Sequence, residues 1–396
     1  MLAFARALVK RLRATDPIVI GFLALAALAL AIRIALIDQT TQDVLTQEGW
    51  LHFLEQNGGV RALGLNIPSD NYTPFYSYLL LLGSHLQFGL SDLVAVKYAS
   101  IAADFICAVF VFRIVRLRYP QGHAPLIASV MTLLTPTVIA NSSYWGQTDM
   151  IWVAPLVAAL YYVLKGRDLA AVIAFGVAFA FKPLAIFFLP FLVLLAFKEK
   201  LRWRTLFAAP VVYFVSIVPA WIAGRSFTNL MTIYAHQEQY FPQFNYHAPN
   251  VYAWITSTSH PRASWMWGAA VIGLALMLVA AVKFTMTPAL LVAFATASVI
   301  FAPFVLPRMH ERYFFAADVL SIVLAFYVPR LFPVALIVQL TSFFVYVPYL
   351  FKTELFSVRV LALFELTAIV LLFVWIAREL RSQQLSPESG AETPAA

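Results

Sequence analysis

The chain has 396 residues, 62% of them hydrophobic and only 12% charged, with a mean hydropathy of +0.81. That composition excludes an ordinary soluble domain, and the apolar runs are continuous and close to spanning length, which excludes a β-barrel as well. The net charge of +8 does not argue for a nucleic-acid partner, because most basic residues lie in short loops between apolar runs, where the positive-inside rule places them.

Read in chain order, Met1–Asp16 carries Arg6, Lys10, Arg11 and Arg13. The apolar stretch that follows is too long for a cleaved signal, so it reads as a retained first helix. The hydropathy pattern predicts twelve spans, at roughly 17–37, 94–112, 123–141, 149–164, 168–182, 184–197, 206–223, 265–282, 286–304, 313–329, 331–349 and 356–377. The fold class is therefore an all-α polytopic membrane protein. A single domain is expected over 1–380, with a disordered cytoplasmic tail at 381–396. The one cysteine, Cys107, permits no intramolecular disulfide and argues against a cysteine metal site.

Segment 38–93 is neither a plain loop nor a plain span. Gln42–Gln56 has helical periodicity and stops at Asn57-Gly58-Gly59. Asn71–Gly89 is apolar enough to be a further span, but basic residues decide against it. With that stretch interfacial and the N-terminus cytoplasmic, seventeen of the 27 lysines and arginines fall inside, six outside and four within spans. The expected topology puts both termini in the cytoplasm. It puts segment 38–93, Asp149, the loop 224–264 and His310-Glu311-Arg312 on the extracytoplasmic face.

Polar groups at helix mouths are the candidate chemistry, since they are costly at membrane depth. Asp43 lies in the first turn of the 42–56 helix, where it reads either as a cap or as a general base. Asp38, Glu48, Glu55 and Asp70 in the same segment compete for the second role. Trp145-Gly146-Gln147-Thr148-Asp149, with Asn141, gathers more hydrogen-bonding groups at one depth than a cap needs. Lys182 precedes Pro183 in an apolar stretch and suits an anionic ligand, or a structural pair with Asp104 or Asp318. Arg308 and Arg312 around His310 and Glu311 make a phosphate-binding constellation, because guanidinium offers planar paired donors. No glycine-rich phosphate loop and no short-spaced metal-ligand set is present, so no cofactor or metal is expected. No internal repeat is evident, which weighs against an inverted-repeat transporter.

The ordered set formed by Asp43 with Trp50, Asn71-Tyr72-Thr73-Pro74-Phe75-Tyr76-Ser77-Tyr78, Leu134-Thr135-Pro136 with Trp145 to Asp149, Phe181-Lys182-Pro183, Asn250 in Ala248-Pro249-Asn250-Val251-Tyr252, and Arg308-Met309-His310-Glu311-Arg312-Tyr313 resembles the GT-C superfamily of membrane glycosyltransferases. Within it, the set is most similar to bacterial relatives of GPI-anchor and polyprenol-dependent mannosyltransferases. The resemblance implies an enzyme of the bacterial inner membrane that moves a sugar, mannose above others, with inversion. The donor would be a polyprenyl-phosphate-linked sugar and the acceptor a lipid, glycan or protein at the extracytoplasmic face. It implies Asp43 as catalytic base. Lys182, Arg308, His310 and Arg312 would bind the donor phosphate, and Asp149, Gln147, Trp145, Glu311, Asn250 and Tyr72 the sugar or acceptor. A family member often shows paired prolines where this chain has Thr73-Pro74. Two other readings use the same residues: a flippase or transporter for a lipid-linked saccharide, and a polysaccharide polymerase or ligase.

Overall fold

A computed structural model describes residues 17–86, 91–237, 243–255 and 284–385. These gather into two compact units. The first comprises residues up to Val163 with Ala170–Pro183 and Ala208–Tyr240, and the second holds Leu164–Leu169, Leu184–Phe207 and the chain from Phe241 onward.

The first unit opens with α1 (Pro17–Ala35), an apolar helix with most of its surface exposed, as a lipid-facing span requires. Next comes α2 (Gln42–Gln56), whose start is set by Thr41. The Thr41 side chain accepts the Val44 amide, and so satisfies one of the donors a helix start leaves open. Asn57 and two left-handed glycines end it. Helix α3 (Pro74–Leu86) follows. Its 13 residues reach about 20 Å, short of a bilayer core of about 30 Å, which agrees with an interfacial element. Helix α4 (Asp92–Arg118), at 27 residues, is long enough to cross with length to spare.

Helix α5 (Ala124–Leu134) and α6 (Pro136–Trp145) are an apolar pair bent by 49° at their junction. Pro136 explains the break, since it has no amide to donate and forces Thr135 out of helical backbone, to ψ 125. The last turn of α6, Ala140–Trp145, widens into π geometry. Helices α7 (Asp149–Leu164), α8 (Asp168–Phe181), α10 (Ala208–Ile222) and α11 (Phe227–Gln237) complete this unit. Its tightest packing joins α4 to α5 and α3 to α4. A buried ion pair, Arg33 to Asp104 at 2.7 Å, ties α1 to α4.

The second unit contains α9 (Leu189–Phe197), α12 (Pro288–Val305), α13 (Phe315–Tyr327), α14 (Phe332–Phe351) and α15 (Val358–Leu385). Helix α12 is its interior element, packed against α9, α13 and α15, with 78% of its residues buried. Two short strands, β1 (Asn245–Tyr246) and β2 (Met309–His310), pair in parallel.

By length and apolarity six helices among the described residues can cross a membrane, or seven with the bent pair. Four more of the expected spans lie on shorter apolar helices, Asp149–Leu164, Asp168–Phe181, Pro183–Phe197 and Phe315–Tyr327. At 13 to 16 residues, these reach about 20–24 Å. The expected span at 265–282 lies outside the described residues. Helix α15 continues to Leu385, over the first five positions of the tail expected at 381–396; positions 386–396 lie outside the described residues.

Candidate active site

In the first unit the site is built on the turn between α6 and α7. Gly146 sits there at φ 73, and a Cβ on it would lie 2.2 Å from a Val44 methyl. Only glycine permits both the left-handed backbone and this approach of the turn to α2. The turn is pinned on all sides. Trp145 O accepts from Thr41 Oγ1 at 2.7 Å, Gly146 O from Gln47 Nε2 at 3.1 Å, and Gln147 O from Ser100 Oγ at 2.8 Å. Lys97 Nζ donates to three carbonyl oxygens, those of Ile37, Gln39 and Ser143.

This scaffold aims two side chains at Asp43. Trp145 Nε1 and Gln147 Nε2 both donate to Asp43 Oδ2, each at 2.7 Å. Asp43 is therefore not the cap of α2, a role Thr41 fills. The carboxylate is half-buried and oriented from one side by two neutral N–H groups. Of its competitors, Asp38 and Glu55 are exposed, and Glu48 is half-buried. Asp70 is half-buried as a residue, but its side chain is only 3% exposed, and the carboxylate accepts the Tyr72 amide at 2.8 Å and lies 3.9 Å from the Arg225 guanidinium. Burial pushes its carboxyl up to about 6, against the smaller opposing effects of the Tyr72 N–H and Arg225.

Behind Asp43 lies a second polar cluster. Asp149 begins α7, where the helix dipole favours a carboxylate. Its Oδ1 receives Lys182 Nζ at 2.6 Å and Trp152 Nε1 at 3.2 Å, and its Oδ2 receives Asn141 Nδ2 at 3.0 Å. Lys182 thus pairs with Asp149, while Asp104 belongs to Arg33 and Ser142. Its ammonium also stands 5.5 Å from the Tyr72 ring centre, and Tyr72 Oη meets Thr148 Oγ1 at 3.0 Å. Trp50, Tyr72, Tyr76 and Phe181 pack beside this pair, edge to face at ring-centre distances of 5.6–6.2 Å except for Tyr72 and Tyr76, which are tilted by 40° at 5.2 Å. Three buried polar atoms here, Trp50 Nε1, Asn141 Oδ1 and Gln147 Oε1, have no hydrogen-bond partner among the described residues. Buried polar atoms without partners are uncommon and mark places where water or a ligand bonds.

Thr41, Gln47 and Lys97 were not singled out from the sequence. They hold the turn rather than carry charge to a ligand, and only Lys97, an ionisable group inside a span, left a signal that hydropathy reading can find.

The second unit has its own polar cluster. The β1–β2 pairing lays the Tyr246 and His310 rings face to face, 4.5 Å apart and 8° from parallel. Arg308 sits at φ 62 and donates its amide to Phe244 O. Arg312 Nη1 reaches Glu311 Oε1 at 3.0 Å, and His310 Nδ1 lies 4.0 Å from Glu311 Oε2. His310, Glu311 and Arg312 are thus brought together. Asn250 differs. Its Nδ2 donates to Pro303 O and Leu306 O, and its Oδ1 accepts Tyr252 N and Asn245 Nδ2. Wholly buried, it holds its own loop against the end of α12. Among the described residues no group of three or more His, Cys, Asp or Glu side chains is arranged to hold a metal ion.

The profile of glycosyltransferase family 87 matches residues 71–307. That range includes Tyr72, Trp145 to Asp149, Lys182 and Asn250; Asp43 and Arg308–Arg312 lie outside it. Two solved structures of ArnT from Cupriavidus metallidurans share the fold. The apo form matches at 14% identity and a TM-score of 0.53, over 93% of this chain and 78% of that one. The form bound to undecaprenyl phosphate matches at 14% identity and a TM-score of 0.52, over 91% and 77%. No curated protein matches the sequence.

Proposed function

The chain belongs to glycosyltransferase family 87, and from that premise we propose that it is an inverting transferase taking a sugar from a polyprenyl-phosphate carrier. The carrier is supported by one of the similar ArnT structures, which holds undecaprenyl phosphate. Mannose is the sugar suggested by the sequence likeness. The acceptor is a hydroxyl presented at the extracytoplasmic face of a bacterial inner membrane, with both termini cytoplasmic.

The observation that carries this reading is the Asp43 carboxylate, held by Trp145 and Gln147 on a rigid turn between membrane helices. In the proposed step Asp43 takes the proton of the acceptor hydroxyl as its oxygen bonds to the anomeric carbon. The bond from that carbon to the phosphate oxygen breaks, and polyprenyl phosphate leaves with the electron pair. Two fixed N–H donors keep the carboxylate aimed while it works, which is what positioning contributes. A departing phosphate needs cations, and Lys182, Arg308, His310 and Arg312 are proposed for that role. Lys182 is anchored by Asp149, so its ammonium is in place before a donor arrives. Asp149, Gln147, Trp145, Tyr72 and Glu311 remain candidates for sugar or acceptor contact. Asn250 is the weakest of that group, since its amide is already spent on its own loop.

The test is to incubate the purified protein with a panel of radiolabelled polyprenyl-phosphate sugars and membrane lipid extract. Transfer of label from one of them to a new product supports the reading. Movement of intact lipid-linked sugar across vesicles, without a new product, sinks it in favour of a flippase.

A further inference from the structure

Beside α1 and α4, within the first unit, runs a groove of about 740 Å³. Leu30 and Ile34 of α1 form one wall, and Ala102 and Phe105 of α4 the other. Its polar end carries Asp38 and Ser91. The volume falls in the range of pockets that take small ligands, and the walls suit a hydrocarbon chain. We propose that this groove holds the chain of a lipid acceptor whose neutral headgroup ends in a hydroxyl. The role as acceptor rests on the reading of Asp43 given above.

Three observations point to that occupant. First, the groove has direction. Its polar end is formed where α1 gives way to the segment leading into α2, five residues before Asp43. Lys97 pins that segment, bonding the carbonyls of Ile37 and Gln39 together with that of Ser143, next to the turn that bears Trp145. A chain lying in the groove therefore presents its head on the side of the candidate base.

Second, the charge at the polar end is wrong for a phosphate. Asp38 is exposed there, and among the described residues no lysine or arginine lines the groove. All three donors of Lys97 are taken by carbonyls. The guanidinium over the Phe105 ring belongs to Arg33, already paired with Asp104. A polyprenyl phosphate would bring a dianion to a carboxylate, whereas a hydroxyl can donate to it.

Third, the groove is preformed. Arg33 bonds Asp104 of α4 and the Leu133 carbonyl of α5, which locks the two walls at a fixed separation. In a bilayer, tails gain little by leaving other tails, so shape and headgroup must do the selecting.

The experiment uses the full chain in phosphatidylcholine nanodiscs with hexadecanol bearing a diazirine near its middle. Expected is photolabelling concentrated on 30–37 and 94–106, suppressed by excess plain hexadecanol and at least tenfold less by undecaprenyl phosphate. Ala102→Trp should remove that labelling, with folding checked by gel filtration. Asp38→Lys, at an exposed position, should invert the competition and make undecaprenyl phosphate the stronger competitor. Equal competition by undecaprenyl phosphate in the unaltered protein would assign the groove to the donor and overturn the proposal. Labelling spread evenly over the lipid-facing sides of α1 and α14 would show ordinary bilayer contact and overturn it too. No sugar donor enters this assay, so a groove that passes while every donor in the transfer panel fails would refute the enzyme reading alone.

Discussion

Replacing Asp43 by Asn separates the proposed base from a merely structural carboxylate. The Asn carbonyl can occupy the place of Oδ2 and still accept from Trp145 Nε1 and Gln147 Nε2. As a neutral acceptor it makes weaker bonds than an ionised one, at a cost of about 1 kcal/mol each. The expected loss of stability is therefore about 2 kcal/mol. Asp43→Ala is worse, because it strands two buried donors at about 1–3 kcal/mol apiece. Transfer should respond differently. Neither variant can take the acceptor proton, so both should lose about 10²–10⁴-fold in rate, equivalent to about 3–5 kcal/mol of barrier. The assays are thermal unfolding in detergent and initial rates with the donor identified by the panel, alongside a donor-binding measurement that Asn should leave intact. An Asn variant that transfers at more than a tenth of the normal rate would refute the role, and Asp149 would become the next candidate for base. Equal destabilisation by Asn and Ala would refute the hydrogen-bond geometry itself.

Other consequences are as specific. Lys182→Met leaves Asp149 buried without its 2.6 Å partner and should cost about 3–5 kcal/mol; adding Asp149→Asn should recover at least half, and simple additivity in unfolding measurements would argue against the pair. Asp70 has a folded-state pKa near 6, above the ordinary 3.8, so the folded chain holds its proton more tightly. The stability this contributes is present in full below about pH 4 and is lost as pH rises to 6, a swing of about 3 kcal/mol. Asp70→Asn should remove that component, and an unchanged difference in melting temperature between pH 4 and 7 would contradict it. Gly146→Ala forces a left-handed alanine against Val44 and should cost about 1–2 kcal/mol in backbone strain and about 1–3 in overpacking; Val44→Ala should restore part of it, and failure to do so would place the strain elsewhere. For sidedness, single cysteines at the exposed positions 57 and 200, in a chain lacking Cys107, should react with an impermeant thiol reagent from outside and inside respectively. Ser142 is useless for that purpose, being fully buried and bonded to Asp104.

Much of the candidate site was legible in advance, but as a set of residues rather than as partners. Trp145, Gln147, Asp149 and Lys182 stood out because polar groups at the ends of apolar runs are expensive, and local sequence registers that cost. The reading of Asp43 as a possible cap failed for a local reason also: Thr41, two residues earlier, takes the capping position and leaves the carboxylate to other donors. Asn250 was singled out by the family likeness alone, and in the structure its amide is bonded within its own loop and to the end of α12. A buried amide bonded to distant carbonyls has the same local pattern as one that meets a sugar.

Hydropathy and periodicity by themselves determined the membrane class and the extent of α2, including its stop at Asn57-Gly58-Gly59. These follow from properties summed over neighbouring residues, namely transfer energy and helical period. For the apolar stretch after Asn71 hydropathy left a crossing open; the asymmetry of basic residues argued against it, and the structure places a 13-residue helix there. Tertiary structure decided which charge meets which. Asp43 is joined to Trp145 and Gln147 across 102 and 104 positions, Arg33 to Asp104 across 71, and Lys182 to Asp149 across 33. All these carboxylates are chemically the same group, so no local rule ranks their partners. The choice is made by distances that exist only once α1 to α8 have packed, because a short-range bond forms or fails within a few tenths of an ångström.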